Sequence, residues 1–114
     1  MKYVLLIYQP SPFDPKSLPP EEHAAIGAEY QAVSKTPNVS PGPPLGTPQQ
    51  ATTVRVNDGE VILHTGPYVS AAGAVGGFMI LEAETQDEAV ALAARVPAAR
   101  LGGAVEVRPC EVYW

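Results

Sequence analysis

Apolar residues are spaced along this chain with two different periods. Lys2-Tyr3-Val4-Leu5-Leu6-Ile7-Tyr8 lacks polar alternation, with Val4 to Ile7 apolar at successive positions, which predicts a strand over residues 2–8 with large side chains on both faces. The proline-rich stretch that follows reads as a loop. Pro19 and Pro20 stand where a helix starts, since the first turn needs no N–H from them. Residues 21–35 then support a helix, with Glu21 and Glu22 at the positive end of its dipole. Ile26, Tyr30 and Val33 form its apolar stripe, and His23 extends that stripe towards the sheet. Thr36-Pro37 ends it.

Residues 37–48 hold five prolines and two glycines and read as a turn-rich connector. Thr52-Thr53-Val54-Arg55-Val56 alternates in the strand manner, and Asn57-Asp58-Gly59 turns it tightly into Glu60-Val61-Ile62-Leu63-His64. After a run of small residues, Phe78-Met79-Ile80-Leu81-Glu82-Ala83 is a further strand. Thr85-Gln86-Asp87-Glu88 has the form of a capping box, and the helix behind it places Ala89, Leu92, Ala93 and Val96 on one face until Pro97. Ala104-Val105-Glu106-Val107-Arg108 alternates as a last strand, which Cys110 to Trp114 would continue beyond Pro109.

The order β-α-β-β-β-α-β predicts an α+β fold, ferredoxin-like, with a mainly antiparallel sheet and two helices on one face. Val4-Leu5-Leu6-Ile7, Val61-Ile62-Leu63 and Phe78-Met79-Ile80-Leu81 do not alternate, so the face away from the helices is also apolar. A second copy of the sheet across a two-fold axis would cover it, which predicts a homodimer. The alternative cover is the chain's own proline-rich loops.

At 114 residues, 46% hydrophobic and 17% charged, the chain is one folded domain spanning 1–114. A net charge of -5 with no basic cluster repels phosphate backbones, so no nucleic-acid partner is expected. No apolar run approaches the roughly 20 residues that span a bilayer, so no membrane partner is expected either. The apolar N-terminal run is too short for a signal peptide, and Cys110 is alone. These features together predict a soluble, cytoplasmic protein.

Candidate chemistry is sparse. His23 and His64 are the only histidines, and without cysteine partners they form no zinc spacing, so no metal is expected. Neither a nucleophile-elbow motif nor a phosphate-binding glycine loop is present, so no cofactor is expected. His23 is the one candidate catalytic residue and the only candidate proton carrier near neutral pH besides His64, a strand-end residue at a loop mouth. Arg100, beside Gly102-Gly103, is a candidate for an anionic group or a surface salt bridge. Tyr8, Tyr68, Tyr113 and Trp114 are amphipathic and suit a cleft or a dimer seam equally.

The opening Met1-Lys2-Tyr3-Val4-Leu5-Leu6-Ile7-Tyr8, Pro19-Pro20-Glu21-Glu22, Ala51-Thr52-Thr53-Val54-Arg55-Val56 with Asp58-Gly59, Gly66-Pro67-Tyr68, Gly76-Gly77-Phe78, Asp87-Glu88-Ala89 and Pro97-Ala98-Ala99-Arg100 with Val105-Glu106-Val107-Arg108-Pro109 resemble the YCII-related family, specifically its DGPF branch. The resemblance runs through essentially the whole chain and implies a dimeric α+β barrel of bacterial origin. Some YCII-related proteins pair a helix-start histidine with an aspartate before the proline that follows the second helix. His23 stands at the first position, but Val96 stands at the second. Thr65-Gly66-Pro67-Tyr68 replaces the branch signature Asp-Gly-Pro-Phe, and Ser70, Ala71, Ala72 and Gly73 replace the charges usual beyond it. The leading reading is a small, weakly polar molecule bound near the start of the first helix and the 65–73 loop, with Tyr8, His64, Tyr68 and Arg100, singled out from the residues themselves, as candidate contacts. Whether the protein is an enzyme stays open at this point. The other class of function is a non-catalytic regulatory or protein-interaction module, linked to sigma-factor signalling, that docks through the proline-rich loops.

Overall fold

The computed structural model describes residues 1–9, 15–69 and 75–113. Their elements are β1 (Lys2–Tyr8), α1 (Pro20–Ser34), β2 (Val39–Pro41), β3 (Thr52–Asn57), β4 (Glu60–Thr65), β5 (Val75–Glu82), α2 (Gln86–Ala93) and β6 (Ala104–Pro109). Four strands form one antiparallel sheet in the order β2-β5-β1-β6. That is the ferredoxin-like order, so the expected α+β class holds.

The strand period of two decides which side chains enter the core. Tyr3, Leu5 and Ile7 of β1 and Met79 and Leu81 of β5 are buried under the helices. Val33 of α1, Ala89, Leu92 and Ala93 of α2, and Val96 and Ala98 beyond it close the same cluster. Thr85 caps α2 as its sequence predicts, its Oγ1 accepting from the Glu88 N–H at 3.3 Å. The Glu88 carboxylate, however, accepts from the Glu84 N–H at 3.1 Å, one residue before the cap. With small residues on its inner face, α2 can lie close to the sheet.

Three expectations need correction. The 37–48 connector contains a strand: β2 pairs with β5, and the Gly42 N–H donates to the Phe78 carbonyl at 2.9 Å. It is three residues long and lies at the sheet edge, where Pro41, lacking an N–H, is tolerated. Second, β3 and β4 pair only with each other and form a separate two-stranded ribbon outside the four-stranded sheet. Asp58 and Gly59 turn it with φ of 50° and 80°, the two positive values that a tight hairpin turn requires. Third, residues 110–113 do not continue β6, although the Cys110 N–H still donates to the Lys2 carbonyl at 2.8 Å. Trp114 lies outside the described residues.

The sheet face away from the helices carries Val4, Leu6 and Tyr8 of β1 and Phe78 and Ile80 of β5, as the lack of alternation predicts. All are half-buried except Ile80, which is exposed.

Gly103 shows how tightly β6 enters the sheet. Its N–H donates to the Ala98 carbonyl at 3.0 Å, and a Cβ at this position would collide with the backbone carbonyl of Tyr8. Gly103→Ala is expected to destabilise the fold by about 1–3 kcal/mol, the usual range for overpacking. A urea midpoint equal to wild type would show that the end of β1 yields freely.

Candidate functional site

The end of β1 and the two ends of the ribbon meet around a half-open cavity of 490 Å³. Tyr8 closes β1 at an irregularity: Ile7 pairs with Gly77, whereas Tyr8 pairs with Val75, leaving Gly76 as the extra residue of β5. Such a bulge changes the direction of the neighbouring side chains. Tyr8 and Val75 form one wall of the cavity.

The opposite wall is Pro67, Tyr68 and Val69, held by the base of the ribbon. Gly66 is buried with φ of 112°, a left-handed value natural to glycine. Its N–H donates to the Ala51 carbonyl at 2.8 Å, and its own carbonyl accepts from Thr53 Oγ1 at 2.8 Å. These two bonds lock the ends of the ribbon together and set the direction of Pro67-Tyr68. The guanidinium of Arg55 lies 5.7 Å from the centre of the Tyr68 ring, a cation–π contact on the ribbon's polar face.

The third wall is Leu45, Thr47, Pro48, Gln50 and Ala51, which sequence reasoning left inside a featureless connector. A signal for it exists in Thr47-Pro48-Gln49-Gln50: a threonine followed at once by proline and three residues later by glutamine is a helix-start signature. It forms a single 3₁₀ turn, Pro48–Gln50, in which Gln50 Oε1 accepts from the Thr47 N–H at 2.8 Å. The lining is thus largely apolar, with two phenols, a threonine hydroxyl and a glutamine amide as its polar groups.

Of the residues singled out in the sequence, the cavity brings together Tyr8 and Tyr68. His23 is exposed in the first turn of α1 rather than buried against the sheet. His64 is exposed on β4, on the polar face of the ribbon and outside the cavity wall. Arg100 is paired with Glu29, Nη1 to Oε2 at 2.6 Å and Nη2 to Oε1 at 2.7 Å. The hydrogen bond from Arg100 holds the Glu29 carboxyl below its ordinary value, and the same bond raises the guanidinium. Both partners are largely solvated, so this is the surface salt bridge of the two readings, and it contributes little to stability. Val96, the position before Pro97, is fully buried in the core. Residues 70–73 of the 65–73 loop lie outside the described residues. Among the described residues no three of His, Cys, Asp and Glu converge as a metal site would require, and no helix is long and apolar enough to cross a membrane.

The profile of the YCII-related domain matches residues 1–112 of the chain. A search among curated proteins gives no match.

Proposed function

The chain belongs to the YCII-related domain family, and from that premise we propose that it works as a homodimer that binds a small, weakly polar molecule, with an aromatic ring or short apolar body, in the cavity between Tyr8 and Tyr68. The observation that carries this reading is the composition of the cavity wall. A volume of 490 Å³ falls within the range of small-molecule sites, and apolar walls with a few fixed polar groups are their usual make-up. Tyr8 and Tyr68 offer ring faces to an apolar ligand and hydroxyls to a polar substituent. Among the described residues no carboxylate, histidine, lysine or arginine lines this cavity, and the reading is one of binding, with no catalytic step assigned to it. The docking-module alternative is less well supported, because Val39–Pro41 of the proline-rich connector is already bound as an edge strand and Leu45 lines the cavity.

Thermal unfolding at fixed protein concentration, against a panel of phenols, small aromatic acids and short-chain carbonyl compounds, tests it. A ligand present at about 100 times its dissociation constant should add roughly 2.7 kcal/mol. The shift should be lost in Tyr68→Ala, whose exposed side chain is not part of the core. A silent panel, or a shift untouched by Tyr68→Ala and Tyr8→Phe, would overturn the cavity reading.

A further inference from the structure

The β3–β4 ribbon is two-faced in a way the isolated chain does not use. Residues opposite each other in an antiparallel pair share a face. Val54 pairs with Leu63 and Val56 with Val61, so one face of the ribbon is a block of four aliphatic side chains. The other face carries Thr53 with His64, Arg55 with Ile62, and Asn57 with Glu60. The aliphatic block faces solvent: Val54, Val56, Val61 and Leu63 are 59–66% exposed. Single exposed aliphatic residues are ordinary, but a contiguous block of them is the informative kind of surface. Two strands on their own are also marginal in water, and this pair lies outside the main sheet.

We propose that the ribbon is a dimerisation arm, whose aliphatic face packs against a second copy of this chain. The occupant follows from what the chain itself carries. Four adjacent aliphatic side chains make a patch of a few hundred Å², the size that marks an interaction site. The same chain carries a second unmet apolar surface, the sheet face with Leu6, Phe78 and Ile80. Together the two approach the roughly 800 Å² per partner of a standard stable interface, whereas either alone falls short. An isologous contact about a two-fold axis would place the same patch of each copy at the interface. The molecule's dimensions, 47 × 40 × 19 Å, fit a half-assembly: its radius of gyration of 15.9 Å exceeds the ~13 Å of a compact domain of about this length. The base of the arm is also the Pro67-Tyr68 wall of the cavity, so docking the arm fixes that wall.

This inference rests on the homodimer reading, and the test separates the two. Sedimentation equilibrium is run on the full chain, on the double variant Val56→Glu, Val61→Lys, and on Arg55→Thr. The double variant keeps an attractive cross-strand pair while removing the aliphatic surface, so the ribbon retains its pairing. The expected result is a wild-type dimer, a dissociation constant raised about 100-fold or more in the double variant, and no change in Arg55→Thr on the polar face. Near-ultraviolet circular dichroism of the diluted double variant confirms that the core of each chain is intact. A wild-type dimer left unaffected by the double variant would overturn the arm and leave the homodimer standing. A wild-type chain that stays monomeric at all concentrations would overturn both.

Discussion

Replacing Val96 by aspartate is expected to cost about 3–5 kcal/mol near neutral pH, the magnitude of an unpaired charge in a core. Val96 is fully buried, in extended backbone just before Pro97, and packs in the cluster with Leu5 and Ala89. A carboxyl placed there loses its hydration without gaining a partner, so its folded-state pKa rises above the ~3.9 of the unfolded chain. The sign of the pH dependence follows. Below that unfolded value the group is neutral in both states and the penalty is smallest. As pH rises the unfolded chain ionises first, so stability falls until the folded-state pKa is reached. Urea unfolding at about pH 4 and pH 8 should therefore show the larger loss at the higher pH. A near-wild-type midpoint at pH 8, together with a changed titration of His23, would contradict this and mean that the start of α1 comes close enough to pair with the new carboxylate.

Leu5→Ala is expected to cost about 2–5 kcal/mol, the range for removing a buried leucine from a core that only partly relaxes. Leu5 is 0% exposed, at the centre of β1 between Met79 of β5 and Val107 of β6. Leu6, one residue on, lies on the opposite face and is only half-buried within a single chain, so at a protein concentration too low for assembly Leu6→Ala should cost markedly less. Both are read by urea unfolding at one low protein concentration, since the proposed dimer would make apparent stability concentration-dependent. Equal losses at that concentration would mean that a single chain covers the second face of its sheet as fully as the first.

The elements that declare themselves in the sequence are those whose local pattern and final environment agree. Ala89, Leu92, Ala93 and Val96 repeat at helical spacing, and all four are buried. Asn57-Asp58-Gly59 supplies the left-handed residues a tight hairpin needs, and the register forms around it. Where pattern and environment part, the reading fails. Val39–Pro41 is a strand only because β5 offers it an edge, and nothing local distinguishes it from the prolines around it. Val61-Ile62-Leu63 is apolar at successive positions, as a strand covered on both faces would be, yet the ribbon stands apart from the sheet. His23 keeps the phase of the α1 stripe but is exposed, which periodicity cannot reveal. Tyr8 and Tyr68 were legible as amphipathic residues beside turns. Their convergence depends on the bulge at Gly76 and on the Gly66 bonds at the ribbon base, both products of tertiary pairing.

Hydrogen exchange on the wild-type protein over a range of concentrations tests most directly the proposal that a second copy completes this fold. The account predicts that the cross-strand amides of β3 and β4 exchange slowly, and that their protection falls on dilution while the amides of β1 keep theirs. Ribbon amides that exchange rapidly at every concentration, beside a protected β1, would contradict it, for the aliphatic face of the ribbon would then be uncovered in solution.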